Sequence, residues 1–488
     1  MDRVAGLDVR ALDRARISRD PRFDGRFFVA VTSTGIYCRP ICPARSPKRS
    51  HIRYFPTAAA AAEAGFRPCL RCRPEAAPGS PAWLGTSAIV RRALRLIDDG
   101  ALDAAPVEDL AERVGVGPRH LRRLFLTHIG ASPVAVAQTR RLHFAKRLVD
   151  ETRLRVADIA QAAGFGSVRR LNDLFRQTYR RSPRQLRRAP RRLAAGDDIV
   201  LTFGYAEPFD WPQLLGFFRA RAIAGVEVVD ADSYTRTVRT AEGCAVVRVT
   251  QRPARGALQL RVTGATPGSL MALATVARRV FDVAADPDRI RRAFSADRLL
   301  GPSVSRRPGI RVPGAWDPFE CAVRAVIGQQ VSLAAARTFA ARLVARIGTR
   351  VADAGAVTHL FPAPDTVARA DLSDIGLTGG RVRTLKALAQ AIVDRRIDFT
   401  AAVPDTMASL RAVPGIGEWT AQYVALRALG DPDAFPAADL VLRRAANRGR
   451  DPIAAAELER RAERWRPWRG YAAQHLWQSA IASENGQS

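Results

Sequence analysis

Apolar positions along the chain change rhythm four times. The run FDGRFFVAVTSTGIYC, ending at Cys38, predicts a short strand and a turn, and TAAAAAEAGF at 57–66 predicts a helix. PEAAPGSPAW, dense in Pro, Gly and Ala, marks a linker. From about Ser87 to Arg188 the spacing is helical. From Ile199 to about Asp282, strand-like runs (EVVDADSYTRTVRT, AVVRVT, ALQLRVTG) mix with helical stretches at DWPQLLGFFRARA and LMALATVARRVF, which predicts α+β with an antiparallel sheet. Asp210 and Trp211 at its start read as structural. From Pro287 the pattern is helical again. The expected architecture is multidomain and mainly α: a small α+β domain (1–78), an all-α domain (84–188), an α+β sheet domain (197–285) and an all-α domain (286–488).

The first helical region contains a repeat. VEDLAERVGVGPRHLRRLFLTHIGASP from Val107 is echoed by VADIAQAAGFGSVRRLNDLFRQTYRRSP from Val156, so that Gly115 matches Gly164, Leu124-Phe125 match Leu174-Phe175 and Ser132-Pro133 match Ser182-Pro183. Each unit has an apolar helix, a glycine at a tight turn and a second helix with basic residues outward, which is the helix-turn-helix plan. The predicted recognition helices run from Pro118 to His128 and from Ser167 to Gln177. They present Arg119, His120, Arg122 and Arg123, and Arg169, Arg170, Asn172 and Arg176, to DNA or simply to solvent. RRSPRQLRRAPRRLAAGDD closes the region as a basic linker.

Charge sharpens this picture. The 488 residues carry a formal net charge of +30, with a pI near 11.3, which points to a polyanionic partner, best read as nucleic acid. No run approaches the roughly 20 apolar residues of a membrane span, and the first thirty residues lack a signal-peptide core. A cytoplasmic protein without a membrane partner is expected.

Four of the six cysteines fall into two pairs, Cys38/Cys42 and Cys69/Cys72. C-x3-C and C-x2-C pairs a few tens of residues apart can turn four thiolates onto one Zn2+ at about 2.3 Å, and such a site needs a reducing compartment. Cys244 and Cys321 stand alone and are expected in the core. Arg39, Arg45, Lys48, Arg49, Arg53, Arg67, Arg71 and Arg73 crowd the pairs. The zinc is then either purely structural or holds nucleophilic thiolates against a phosphate backbone, where one could attack an electrophilic methyl group. His120, His128 and His143 show no ligand spacing.

The last region holds LRAVPGIGEWTAQYVALRALGDPDAFPAADLVLRR (410–444). Gly415 and Gly417 in the P-G-I-G turn let backbone N–H groups approach a phosphate at a helix N-terminus, a sequence-independent grip on DNA. Asp439, 24 residues past Gly415, is either the N-cap of the next helix or a catalytic carboxylate.

GIYCRPICPAR with GFRPCLRCRP resembles the amino-terminal domain of the bacterial Ada family. That resemblance implies Cys38 as the acceptor of a methyl group from a DNA methylphosphotriester, in a stoichiometric reaction that removes one negative charge and so switches DNA binding. It also implies, with their closeness to the cysteines, DNA contacts at Thr34, Arg45, Arg67 and Arg71. The tandem repeat resembles the AraC class of activators, which implies RNA polymerase as a partner. The carboxyl half, through DPFECAVRAVIGQQVS and ERWRPWRGYAAQHLW, resembles the helix-hairpin-helix glycosylase family of AlkA.

The AlkA-type resemblance implies flipping of an alkylated purine such as 3-methyladenine or 7-methylguanine, with Asp439 stabilising the positive sugar and orienting water. Trp419, Tyr423 and Trp477 would line the pocket, their rings attracting a cationic base. Glu418-Trp419 replaces the lysine of lyase-type glycosylases, so a monofunctional enzyme is expected. Leu440 and Gln330 depart from the family's aromatic and wedge positions. The Pro-Cys-His-Arg acceptor motif for O6-methylguanine is absent, so that repair is not expected. The main rival reading is a DNA-binding regulator whose carboxyl half only grips DNA. A sugar-sensing regulator is weaker, because no sugar-binding barrel precedes the helices.

Overall fold

The computed structural model describes residues 3–4, 7–77, 88–187, 198–352 and 355–484. Residues 78–83 of the first linker reading and 188–197 of the second lie outside the described residues. The chain forms two compact units: Met1–Ala206 with Arg252–Val276 and Val283–Ala285, and Glu207–Gln251 with Ala277–Asp282 and Asp286–Ser488.

The first unit opens with a four-stranded sheet in the order Ile52–Phe55, Phe28–Val31, Ile36–Cys38, Arg67–Pro68. The first three strands are antiparallel and the last is parallel to its neighbour. Gly35, at φ +64°, permits the tight turn between the two central strands. Phe28 and Ala30 are buried with Tyr37 in one cluster, while Phe27 and Val29 are buried with Leu12 and Ala15 in another. Burial on both faces explains why FFVAV reads as a continuous apolar run.

The helix Ala58–Glu63, N-capped by Thr57, connects strands Ile52–Phe55 and Arg67–Pro68 of this sheet. Its Ala59 and Ala60 enter the core of the first helix-turn-helix, alongside Leu110, Leu121 and Phe125. Val107–Arg113 and Pro118–His128 form that repeat, Val156–Ala162 and Val168–Tyr179 the second. Each turns at its matched glycine, Gly115 (φ +76°) and Gly164 (φ +70°). The 19-residue helix Pro133–Glu151 joins them. Strands Ile199–Gly204 and Ala257–Thr263 also pair antiparallel in this unit.

In the second unit Glu227–Val229, Ser233–Thr240 and Gly243–Arg252 form an antiparallel set. Asp210 caps the helix Trp211–Arg221 by accepting from Gln213 N at 3.0 Å and pairs with Arg307 at 2.7 Å, while Trp211 is buried. Both are structural, as read from sequence.

Cys321 is buried, but Cys244 is only half-buried, which corrects the expectation of a core position. Along its strand Ala245, Val247 and Val249 point inward, and the two-residue period puts Cys244 on the outward face. The helical core gathers Val323, Leu343, Leu388, Leu410 and Val424. The hairpin lies between Val403–Arg411 and Glu418–Arg427.

Candidate functional site

The four cysteine sulfurs converge to within 4.8 Å of one another. Sulfurs at about 2.3 Å from a tetrahedral ion stand roughly 3.8 Å apart, so the cluster fits one Zn2+, which would hold all four as thiolates. Two backbone devices bring the pairs together. Ile36–Cys38 pairs with Arg67–Pro68, with Cys69 N donating to the Tyr37 carbonyl at 2.9 Å. The loops after each strand then fold back, Cys42 N to the Arg39 carbonyl (3.1 Å) and Arg73 N to the Cys69 carbonyl (3.1 Å). Cys69 and Cys72 are buried, whereas Cys38 and Cys42 are partly exposed.

Arg39 braces the centre. Its N–H donates to Cys72 Sγ at 3.3 Å, its guanidinium to the Cys72 carbonyl at 3.2 Å, and its Nε to the buried Asp24 at 2.8 Å. The thiolate cluster thus carries a cation fixed by a second buried acid, a feature invisible to spacing analysis because Asp24 is fifteen residues away.

The sheet is held to the helices of its own unit. Tyr37, next to Cys38, shares a 2.9 Å hydrogen bond with His143 on the helix Pro133–Glu151, and Arg147 donates to the Glu75 carbonyl at 2.7 Å. Thr57 Oγ1 donates to the Ile129 carbonyl at 3.1 Å and Ser132 N to Glu63 at 2.9 Å. Arg73 pairs with Asp150 at 2.9 Å. Burial pushes His143 down to about 4, so at neutral pH it is an uncharged partner for the phenol.

Of the predicted DNA-facing residues, Thr34, Arg45, Arg71, Arg119, His120, Arg122, Arg123, Arg169, Arg170 and Arg176 are exposed, and Arg67 and Asn172 are half-buried. His120 and Arg123 are hydrogen-bonded at 2.8 Å.

In the second unit the hairpin is shaped as its sequence implies. Gly415 has φ +88°, and a Cβ there would meet Thr384 Oγ1 at 2.1 Å. Gly417 has φ −98°, and a Cβ there meets nothing within 4 Å. Gln329 Nε2 donates to the Gly415 carbonyl and to Thr420, both at 3.1 Å, and the Arg381 guanidinium donates to the Gln329 carbonyl. This bracing leaves the exposed Gln330 at φ +52°.

Gly415→Ala should therefore destabilise the protein by roughly 1–3 kcal/mol, read as a lowered Tm. Gly417→Ala meets open space and loses only a better N-cap residue, so it should lower Tm less than Gly415→Ala.

Of its two readings, Asp439 takes the N-cap position, with two indoles on its carboxylate. It N-caps Leu440–Ala445, accepting from Leu442 N at 3.0 Å. Trp419 Nε1 donates to its Oδ2 at 3.0 Å and Trp477 Nε1 to its Oδ1 at 3.2 Å. Trp419 also stacks on Tyr423, centroids 5.4 Å apart and planes at 19°. Of the three aromatics named from sequence, Trp419 and Trp477 thus touch the carboxylate, and Tyr423 joins them through its stack on Trp419.

Family models match in chain order: the metal binding domain of Ada at residues 11–75, a helix-turn-helix domain at 110–189, the AlkA N-terminal domain at 200–317 and the HhH-GPD superfamily base excision DNA repair protein at 323–469. A probable bifunctional transcriptional activator/DNA repair enzyme AlkA of Mycobacterium tuberculosis is 43% identical over 472 residues, 95% of either chain. The chain belongs to this Ada-AlkA family. DNA-3-methyladenine glycosylase 2 of Escherichia coli is 36% identical across 57% of this chain and 96% of its own. A solved 3-methyladenine DNA-glycosylase from Archaeoglobus fulgidus superposes with a TM-score of 0.52 at 22% identity, covering 57% of this chain and 98% of its own, which shows the shared fold.

As an Ada-AlkA protein the chain joins an Ada-type zinc-binding domain and a DNA-binding helix-turn-helix region to a DNA glycosylase of the HhH-GPD family. Among the described residues no helix is long and apolar enough to cross a membrane. Sequence reasoning on this Ada-AlkA chain missed Arg221 and Arg427, which pack on the aromatic cluster near Asp439. The signal available was the placement of Arg427 four residues after Tyr423 on one helix face.

Proposed function

We propose that the protein performs two reactions on alkylated DNA. At the zinc centre Cys38 Sγ attacks the methyl carbon of a methylphosphotriester. The S–CH3 bond forms as the O–CH3 bond breaks, and the electron pair stays on the phosphate oxygen, restoring a diester. Zn2+ bound by Cys38, Cys42, Cys69 and Cys72 supplies thiolate character at neutral pH. The half-exposure of Cys38 and Cys42, against the burial of Cys69 and Cys72, narrows the acceptor to the first pair, in which the Ada resemblance points to Cys38, with Thr34, Arg45, Arg67 and Arg71 gripping the backbone. The cluster then loses one negative charge and repels phosphate less, so the helix-turn-helix region, through Arg119, Arg122, Arg123, Arg169, Arg170 and Arg176, binds promoter DNA and recruits RNA polymerase in the bacterial cytoplasm.

In the carboxyl half an alkylated purine, 3-methyladenine or 7-methylguanine, is flipped among Trp419, Tyr423 and Trp477. Gln330, Gly415 and Gly417 hold the duplex. The observation that carries this reading is the double indole clamp on Asp439. Both carboxylate oxygens are fixed by neutral donors, which orients a negative charge toward the sugar as its C1′ becomes positive. The same clamp occupies acceptor directions a general base would use, so electrostatic stabilisation is its principal role. The work is divided among 1–78, 84–188, 197–285 and 286–488.

The test is to incubate the protein with a methylated duplex and follow both products. We expect free alkylated purine with a strand that stays intact until alkali is added, and a single methyl on the peptide containing Cys38. Duplex binding without either product would leave only a DNA-binding regulator.

A further inference from the structure

Arg427 lies behind the rings that surround Asp439. Its guanidinium carbon is 4.6 Å from the Phe217 centroid, 5.0 Å from that of Trp477 and 5.6 Å from that of Tyr423. It is buried, and its hydrogen bonds go to neutral acceptors, the Pro313 carbonyl and Gln474 Oε1, both at 3.1 Å. Its Nε has no partner.

Arg221, half-buried, packs 4.0 Å over Phe217 and also faces the Tyr423 phenol. The neighbouring arginines differ: Arg236 is matched by Glu320 at 2.7 Å and Arg324 by Glu227 at 3.0 Å. Around the rings two guanidiniums therefore stand against the one Asp439 carboxylate. Burial, together with the nearby Arg221 charge, pushes Arg427 down to about 10, which leaves it protonated at neutral pH.

We propose that Arg427 is a specificity-determining positioning residue whose buried charge, behind the base-stacking rings, disfavours a purine that enters as a cation and favours one that leaves as an anion. This rests on the reading of Trp419, Tyr423 and Trp477 as the base pocket of a glycosylase. Rings of this kind attract a cation through their electron-rich faces, but here the inner side already carries one. The cavity lined by Arg221, Tyr423 and Arg427 measures about 60 Å3, far below the roughly 300 Å3 of a ligand site, so it does not itself hold the base.

The charge acts on the bond-breaking step. When C1′–N9 of an N-alkylpurinium breaks, both electrons go to N9 and the base departs neutral. A neutral modified purine departs as an N9 anion and then takes a proton from solvent. In both cases water supplies the new C1′ oxygen and releases its proton to solvent. A fixed positive charge nearby helps the second departure and opposes binding of the first substrate.

Single-turnover release of 7-methylguanine (a cation) and hypoxanthine (neutral) from one duplex sequence is compared for the full-length wild type, Arg427→Met and Arg427→Lys. The ratio of 7-methylguanine to hypoxanthine release should rise roughly tenfold in the Met variant and return to the wild-type value with Lys. A packing role lowers both releases by the same factor, and an unchanged ratio overturns the proposal. So does a wild type that releases 7-methylguanine but no hypoxanthine. If Arg427→Met does not fold, Arg221→Met removes a charge facing the same phenol and is read by the same ratio. Asp439→Asn runs alongside: if it loses both releases the pocket reading stands, and an unchanged ratio sinks the charge filter alone. If release persists in it, both fall.

Discussion

Asp439→Asn is expected to lower single-turnover purine release by roughly 100- to 1,000-fold, the range seen when a fixed transition-state charge partner is lost, while fold and duplex binding survive. Asparagine is as good an N-cap as aspartate, so the bond from Leu442 N is kept. What changes is the charge and one acceptor. The carboxylate receives two indole N–H groups on separate oxygens, whereas an amide offers one oxygen and turns its NH2 toward the other indole. That unmade bond costs about 1–3 kcal/mol, visible as a modest fall in Tm. Release within threefold of wild type would remove Asp439 from the chemistry and restore the N-cap as its whole role.

Stripping the metal with a chelator should unfold the cysteine sheet and loosen the first helix-turn-helix with it. Apparent binding energies for structural zinc run to about 10–16 kcal/mol in small peptides, as large as the whole stability of a typical domain at about 5–15 kcal/mol. Without the ion, four sulfurs within 4.8 Å lose the charge that holds them together. The damage spreads because Ala59 and Ala60, on the helix between two strands of the sheet, belong to the same core as Leu121 and Phe125. Hydrogen exchange at Leu121–Phe125 should accelerate on chelation, with Glu418–Arg427, whose core belongs to its own unit, as internal reference. Unchanged protection at Leu121–Phe125 would show that the repeat stands without the zinc module.

Much of this molecule was legible in its sequence because the deciding features are local. The three- and two-residue cysteine spacings, the matched glycines at 115 and 164, and the P-G-I-G turn all act over a few residues. The recognition helices therefore appear at Pro118–His128 and, within a residue or two, at Val168–Tyr179. What escaped was tertiary. Asp24 braces Arg39, and His143 meets Tyr37 across 106 residues, with no local pattern to mark either. Arg427 was lost among 77 basic side chains, since a net excess of arginine says nothing about which one is buried. Cys244 failed for a simpler reason: apolar neighbours on alternating positions make a whole strand look interior, while only every second residue is.

The shared core of the cysteine sheet and the first helix-turn-helix also bears on how such a chain can be cut and recombined. A breakpoint between residues 77 and 88 looks attractive from composition, yet it would strip Ala59 and Ala60 from beneath Leu110 and Phe125 and leave the Tyr37 partner on the other fragment. The zinc domain and the first helix-turn-helix are thus inherited as one piece. Chimeras that exchange either alone should yield insoluble protein, whereas those that move residues 1–187 together keep this seam, at the expense of the Thr202–Glu151 hydrogen bond and the Arg147–Phe203 contact further on.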